Sequence, residues 1–96
     1  MASPDSDELL ALFLDEAGDR LGHVRELLRS LEGNEGGEQI VSLRRELHAL
    51  KGASRMMGLL EVSELCHLAE DLAEDGRDVD RSALDDTCRR ISDAVG

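Results

Sequence analysis

The chain contains no tryptophan and no tyrosine, one phenylalanine (Phe13) and one proline (Pro4). A β-sandwich or barrel draws on aromatic and β-branched residues and marks its turns at short intervals, so this scarcity argues against one. No apolar run approaches the roughly 18 residues of a membrane span. The opening stretch MASPDSDE lacks both the basic and the apolar segment of a secretory leader. Cysteine is nearly absent too: Cys66 and Cys88 fall in separate segments with no CxxC partner. They read as two reduced, partly buried thiols in a cytoplasmic protein. Cations are outnumbered, 11 Lys and Arg against 22 Asp and Glu, for a formal net charge of −11. Such a surface repels phosphate backbones and anionic lipid, which disfavours nucleic-acid and membrane partners.

What fills the 96 residues is leucine, alanine and charge in helical spacing, enough for one core and too little for a second. Leu10, Leu14, Ala17, Leu21, Val24, Leu28 and Leu31 alternate steps of four and three, a continuous apolar seam with Phe13 in or beside it. Ser3 and Pro4 suit an N-cap and first-turn pair ahead of it. A second segment carries Ile40, Leu43, Leu47, Leu50 and Met57; a third Val62, Leu65, Ala69 and Leu72; a fourth Leu84, Cys88, Ile91 and Val95. The breaks are GNEGG at 33–37, then Gly58, then Gly76. The spacing predicts helices over about residues 5–31, 38–57, 60–75 and 80–95, the last starting near Asp80 or Ser82. Connections this short set successive helices antiparallel, so the expected fold is all-α, an up-down-up-down four-helix bundle.

One stretch of the second helix, HALKGASRMMG at 48–58, sits awkwardly with its surroundings. Gly52 interrupts a helix interior at a cost of about 1 kcal/mol relative to alanine. It lies one turn beyond His48 on the same face. Projected at 100° per residue, His48 falls about 140° from the centre of the apolar stripe, so it is not a core histidine. Arg44, Arg45, Lys51 and Arg55 lie within a turn or two of it, a gathering of cations in an acidic chain. A missing side chain at Gly52 opens the surface beside the ring to a visiting active site. Lys51 offers a point charge suited to a phosphoryl group, and neutral imidazole is a competent nucleophile. The combination describes a phosphate-accepting histidine. Periodicity alone leaves open a solvated surface histidine and a glycine that only eases helix packing. His23, opposite the first seam, reads as solvated.

The third segment contains CHLAED at 66–71, where His67 and Glu70 are three apart and share a face. An antiparallel neighbour could bring them beside His48. A carboxylate accepting the Nδ1 proton would leave Nε2 unprotonated and raise its basicity. Taken alone, His67 and Glu70 are also an ordinary surface pair.

His48-Ala49-Leu50-Lys51-Gly52-Ala53-Ser54 followed by Met57-Gly58 resembles the signature of histidine phosphotransfer (HPt) domains. The His67 and Glu70 pair resembles, more narrowly, the N-terminal phosphotransfer domain of CheA-type chemotaxis kinases. The resemblance covers about Leu9 to Asp75 well and the fourth helix by pattern. It implies one domain over residues 1–96, the N-terminal part of a longer histidine kinase, in a two-component phosphorelay. Such kinases often continue into a fifth helix. The domain is then no enzyme on its own and binds no cofactor, ATP being held by a separate kinase domain. His48 takes the γ-phosphoryl group and passes it to an aspartate on a response-regulator receiver domain. Glu70 is the Nδ1 partner, Lys51 and His67 belong to the polar network, and Gly52 is the access residue. Arg44, Arg55 and the outward Met56 are left for partner docking.

Two rival readings come from other classes. His48, His67 and Glu70 are also the ligand types of a divalent-metal site. Yet bundle metal sites point inward, and Lys51, Arg44 and Arg55 would repel a cation. A structural adaptor offering its acidic surface to a basic partner explains the charge and leaves the surroundings of His48 unexplained.

Overall fold

The computed structural model describes residues 6–30, 37–74 and 80–95. Four helices run in order: α1 Ser6–Ser30, α2 Gly37–Met56, α3 Leu60–Glu74 and α4 Arg81–Val95. Ser3, Pro4, Asp5, Leu31, the break residues 33–36, Asp75 and Gly76 lie outside the described residues. Gly37, counted above in the break, opens α2. Among the described residues α1 and α3 each pack on α2 and α4, with no packing across either diagonal. The bundle is therefore square in section, 53 × 19 × 19 Å overall. No helix among the described residues is long and apolar enough to cross a membrane.

The core is the set of stripes that helical spacing implies. Ala17, Leu21, Val24 and Leu28 of α1 meet Ile40, Leu43, Leu47 and Leu50 of α2, with Val62, Leu65 and Ala69 of α3 and Leu84, Cys88 and Ile91 of α4. Each fully buried leucine contributes roughly 1.5–3 kcal/mol of transfer free energy, so these stripes also fix the rotation of each helix about its axis. Phe13 joins the core, while Leu10 stays 36% exposed. Val95 of α4 lines a groove with Leu14, and Leu10 lies one turn before Leu14 on α1. Cys66 and Cys88 are free and wholly buried rather than partly so. Burial, with a small push from Cys88, raises the Cys66 thiol to about 12, and burial raises Cys88 to about 11, which makes both poor nucleophiles.

Two local devices set the helix ends around the site. Gly58 adopts φ 76°, where a side chain is strained. Its N–H donates to the Arg55 carbonyl at 3.1 Å and the Leu59 N–H to the Ser54 carbonyl at 2.9 Å. That pair is the Schellman closure, and it turns the chain from α2 into α3 within three residues. Replacing Gly58 with Ala should lower unfolding free energy by about 1–2 kcal/mol in urea titration. At α4 the side chain of Asp80 accepts the Ala83 N–H at 3.0 Å, which identifies Asp80 as the N-cap.

Candidate functional site

Leu47 is fully buried, and His48 follows it about 100° further round α2, which carries the ring out to the shoulder facing α3. On α3 the same step separates buried Ala69 from Glu70. The two shoulders face each other because α2 and α3 pack against one another more extensively than any other pair. Three of the five buried residues of α3, Cys66, Ala69 and Ala73, are small. Ser63 Oγ donates to the Lys51 carbonyl at 3.4 Å, tying the first turn of α3 to the second-last turn of α2. Ser54, wholly buried, satisfies its hydroxyl on the Leu50 carbonyl at 2.6 Å.

His48 Nδ1 lies 2.8 Å from Glu70 Oε1, and Lys51 Nζ donates to Glu70 Oε2 at 2.5 Å. The side chain of His48 is 73% exposed, while that of Glu70 is 14% exposed. Burial pushes the Glu70 carboxyl up, but the hydrogen bonds and charges of Lys51 and His48 outweigh it and hold the group below the ordinary carboxylate range. An ionised carboxylate can only accept, so Nδ1 carries a proton, and in the neutral ring the lone pair is on Nε2. Lys51 holds the second oxygen of Glu70, which prevents the carboxylate from turning away from the ring. A solvent-facing imidazole is thus locked in one tautomer by a nearly buried acid.

A Cβ added at Gly52 would meet no atom within 4 Å, so no neighbouring helix requires the glycine. The packing explanation for this residue loses its support, and the open surface beside His48 remains. Gly52→Ala should therefore raise unfolding free energy by about 0.5–1 kcal/mol, read as a higher urea midpoint. Arg44 and Arg55 are exposed on the same side of α2, and Met56 is 89% exposed, an apolar side chain beside a polar site.

His67 takes another partner. It sits one turn before Glu70 and rotated outward, with Nε2 3.7 Å from Asp71 Oδ2 on its own helix. The expected network around His48 is therefore Glu70 and Lys51, with His67 outside it. The reason is rotational: the buried stripe of α3 aims Glu70 into the groove, and the 60° between positions i and i+3 leaves His67 in solvent. His48, His67 and Glu70 do not converge, and among the described residues no group of three or more His, Cys, Asp or Glu side chains is arranged to hold a metal ion.

A second imidazole–carboxylate pair lies on the opposite shoulder of α2. His23 of α1, expected to be merely solvated, places Nδ1 against Glu46 Oε2. Arg20 donates to Glu46 Oε1 at 2.8 Å and to Glu16 at 3.0 Å. The signal available beforehand was the i,i+3 spacing of Arg20 and His23; their acidic partner is 23 residues from His23 and was not legible.

The profile of the Hpt domain family matches residues 8–95, nearly all of the chain. The chain belongs to the Hpt family. As an Hpt domain it is a phosphotransfer module of two-component signalling, and its relatives include chemotaxis proteins. It is 36% identical over 64 residues, 67% of this chain, to a gliding motility regulatory protein of Myxococcus xanthus. It is 32% identical over 75 residues, 77% of the chain, to the chemotaxis protein CheA of Borreliella burgdorferi. Against CheA of Halobacterium salinarum it is 29% identical over 90 residues, 93% of the chain. The matched stretches span only 8%, 9% and 14% of those three proteins.

Proposed function

We propose that this Hpt domain is the phosphoryl carrier of a CheA-type chemotaxis histidine kinase, that it works in the cytoplasm, and that His48 is its acceptor. The observation that carries this reading is the exposed His48 ring with Nδ1 bound to Glu70 at 2.8 Å. The Nε2 lone pair attacks the γ-phosphorus of ATP held by a separate kinase domain. The N–P bond forms as the bond to the β,γ-bridging oxygen breaks, and ADP leaves with that electron pair. The ring keeps its Nδ1 proton and becomes cationic, and Glu70 balances the new charge. Onward transfer reverses the bond changes: a carboxylate oxygen of a receiver-domain aspartate attacks phosphorus, and the N–P electrons return to Nε2.

The surrounding residues serve approach and charge. Lys51 fixes Glu70 and places an ammonium near the incoming phosphoryl group. Gly52 leaves room for the partner's backbone, while Arg44, Arg55 and Met56 offer charge and an apolar contact around the entry. His67, leaning on Asp71, belongs to the outer rim. ATP itself needs no site here, since its phosphates are gripped by the kinase domain. Incubation with a cognate kinase domain and γ-labelled ATP tests the reading. The expected result is acid-labile, base-stable label mapped to residue 48, discharged on adding a receiver domain. Acid-stable label on a serine or threonine, or label that no receiver domain discharges, would remove it.

A further inference from the structure

The groove between α1 and α2 repeats the arrangement of the α2–α3 groove with different residues. In the first, a nearly buried glutamate, Glu70, holds an exposed imidazole by Nδ1 with one oxygen and a cation, Lys51, with the other. In the second, Glu46, 19% exposed, holds the His23 ring by Nδ1 with Oε2 and Arg20 with Oε1. The glutamate is again held below the ordinary carboxylate range: burial raises it, and hydrogen bonds from His23 and Arg20 outweigh that rise. The His23 side chain is 53% exposed. An ionised acceptor at Nδ1 places a proton there, so that in the neutral ring the lone pair is on Nε2. Glu46 and His48 are two residues apart on α2, so the two rings flank the same helix on opposite shoulders.

From this juxtaposition we propose that His23 is a second phosphoryl-accepting imidazole, drawing on the same class of donor as His48, a phosphoanhydride or a phosphoramidate. The proposal rests on the carrier reading for its physiological donor only. The chemistry balances in the same way. The His23 Nε2 lone pair forms the N–P bond, and the bond from phosphorus to its leaving group breaks. ADP, or ammonia after taking up a solvent proton, departs with that electron pair. The Nδ1 proton stays on the ring, where Glu46 offsets the positive charge. Arg20 supplies the nearby cation, although Glu16 shares it. His23 is less open than His48, and Leu27 rather than a glycine lies one turn beyond it. Transfer to it is therefore slower than to His48.

His67 is a built-in control. It is 63% exposed, yet the nitrogen leaning on a carboxylate, Asp71, is Nε2 rather than Nδ1. Phosphoramidate, used without any kinase, reads the reactivity of each ring and leaves docking aside. Peptide mapping of the treated wild-type chain should find phosphohistidine at 48 and 23, with His23 labelled at least roughly tenfold faster than His67. His48→Gln should keep the label at residue 23. Glu46→Gln should slow labelling at His23 by about tenfold without altering the rate at His48. Equal rates at His23 and His67, or an unchanged rate at His23 in Glu46→Gln, would overturn the proposal while leaving His48 as acceptor. Label at His23 with none at His48 would support the second site and defeat the carrier reading.

Discussion

On the proposed function, replacing His48 with Gln should abolish kinase-dependent label at residue 48 and stop phosphoryl flow to a receiver domain. Glutamine approximates the reach and polarity of the imidazole but has no lone pair able to attack phosphorus, since its amide nitrogen is delocalised into the carbonyl. The substitution sits on a side chain 73% exposed, so the melting curve should move by no more than a surface change does, about 0.5 kcal/mol. That separation of chemistry from folding makes the experiment informative. Any label that remains should map to His23 and accumulate at least roughly tenfold more slowly than the wild-type label at His48. Continued discharge to the receiver domain by this variant would show that the acceptor lies elsewhere.

The second large effect belongs to Glu70→Gln. The amide can still accept the Nδ1 proton, but it cannot balance the charge that the ring gains on phosphorylation, and Lys51 loses its carboxylate. Initial phosphorylation rate should fall by roughly 10–100-fold, the usual cost of removing such a supporting partner. Helicity and cooperative melting should persist. A pH dependence accompanies this loss. The folded Glu70 carboxyl titrates below its ordinary value, so its contribution to stability is complete above the unfolded glutamate pKa of about 4.3. That contribution is lost as the pH falls through the lower folded value. Glu70→Gln should therefore flatten the acid limb of the stability curve and leave the neutral plateau of its pH dependence in shape. Glu46, also held low, supplies the remaining acid limb in that variant. An unchanged phosphorylation rate in Glu70→Gln would reduce the carboxylate to a structural tether.

The features read correctly from the sequence are those carried within one or two helical turns. The apolar stripes of α1 to α4 and the stop at Gly58 are consequences of local spacing and backbone preference. So is the outward placement of His48 and Gly52, which follows from counting 100° steps away from Leu47 and Leu50. The start of α4, left between Asp80 and Ser82 by the spacing, is fixed by the Asp80 cap. Features that depend on how far one helix extends beside another were less legible. Leu10 continues the seam of α1 in register, yet it stays partly exposed, one turn before the level at which Leu14 and Val95 line a common groove.

Intrahelical periodicity ties each position to a direction, and so a helical bundle with an exposed histidine, a cation one turn on and a glycine beside them is legible from residue order alone. The family resemblance names Glu70 as the partner of His48, but periodicity alone does not assign acids to rings, which is settled by how the helices pack. Glu70 faces His48 while His67 turns to Asp71, and Glu46 reaches His23 across a different groove. Those pairings depend on the rotation and axial offset of separate helices. A shift of one residue on a helix moves a side chain by about 100° and 1.5 Å, enough to exchange a buried hydrogen bond for solvent.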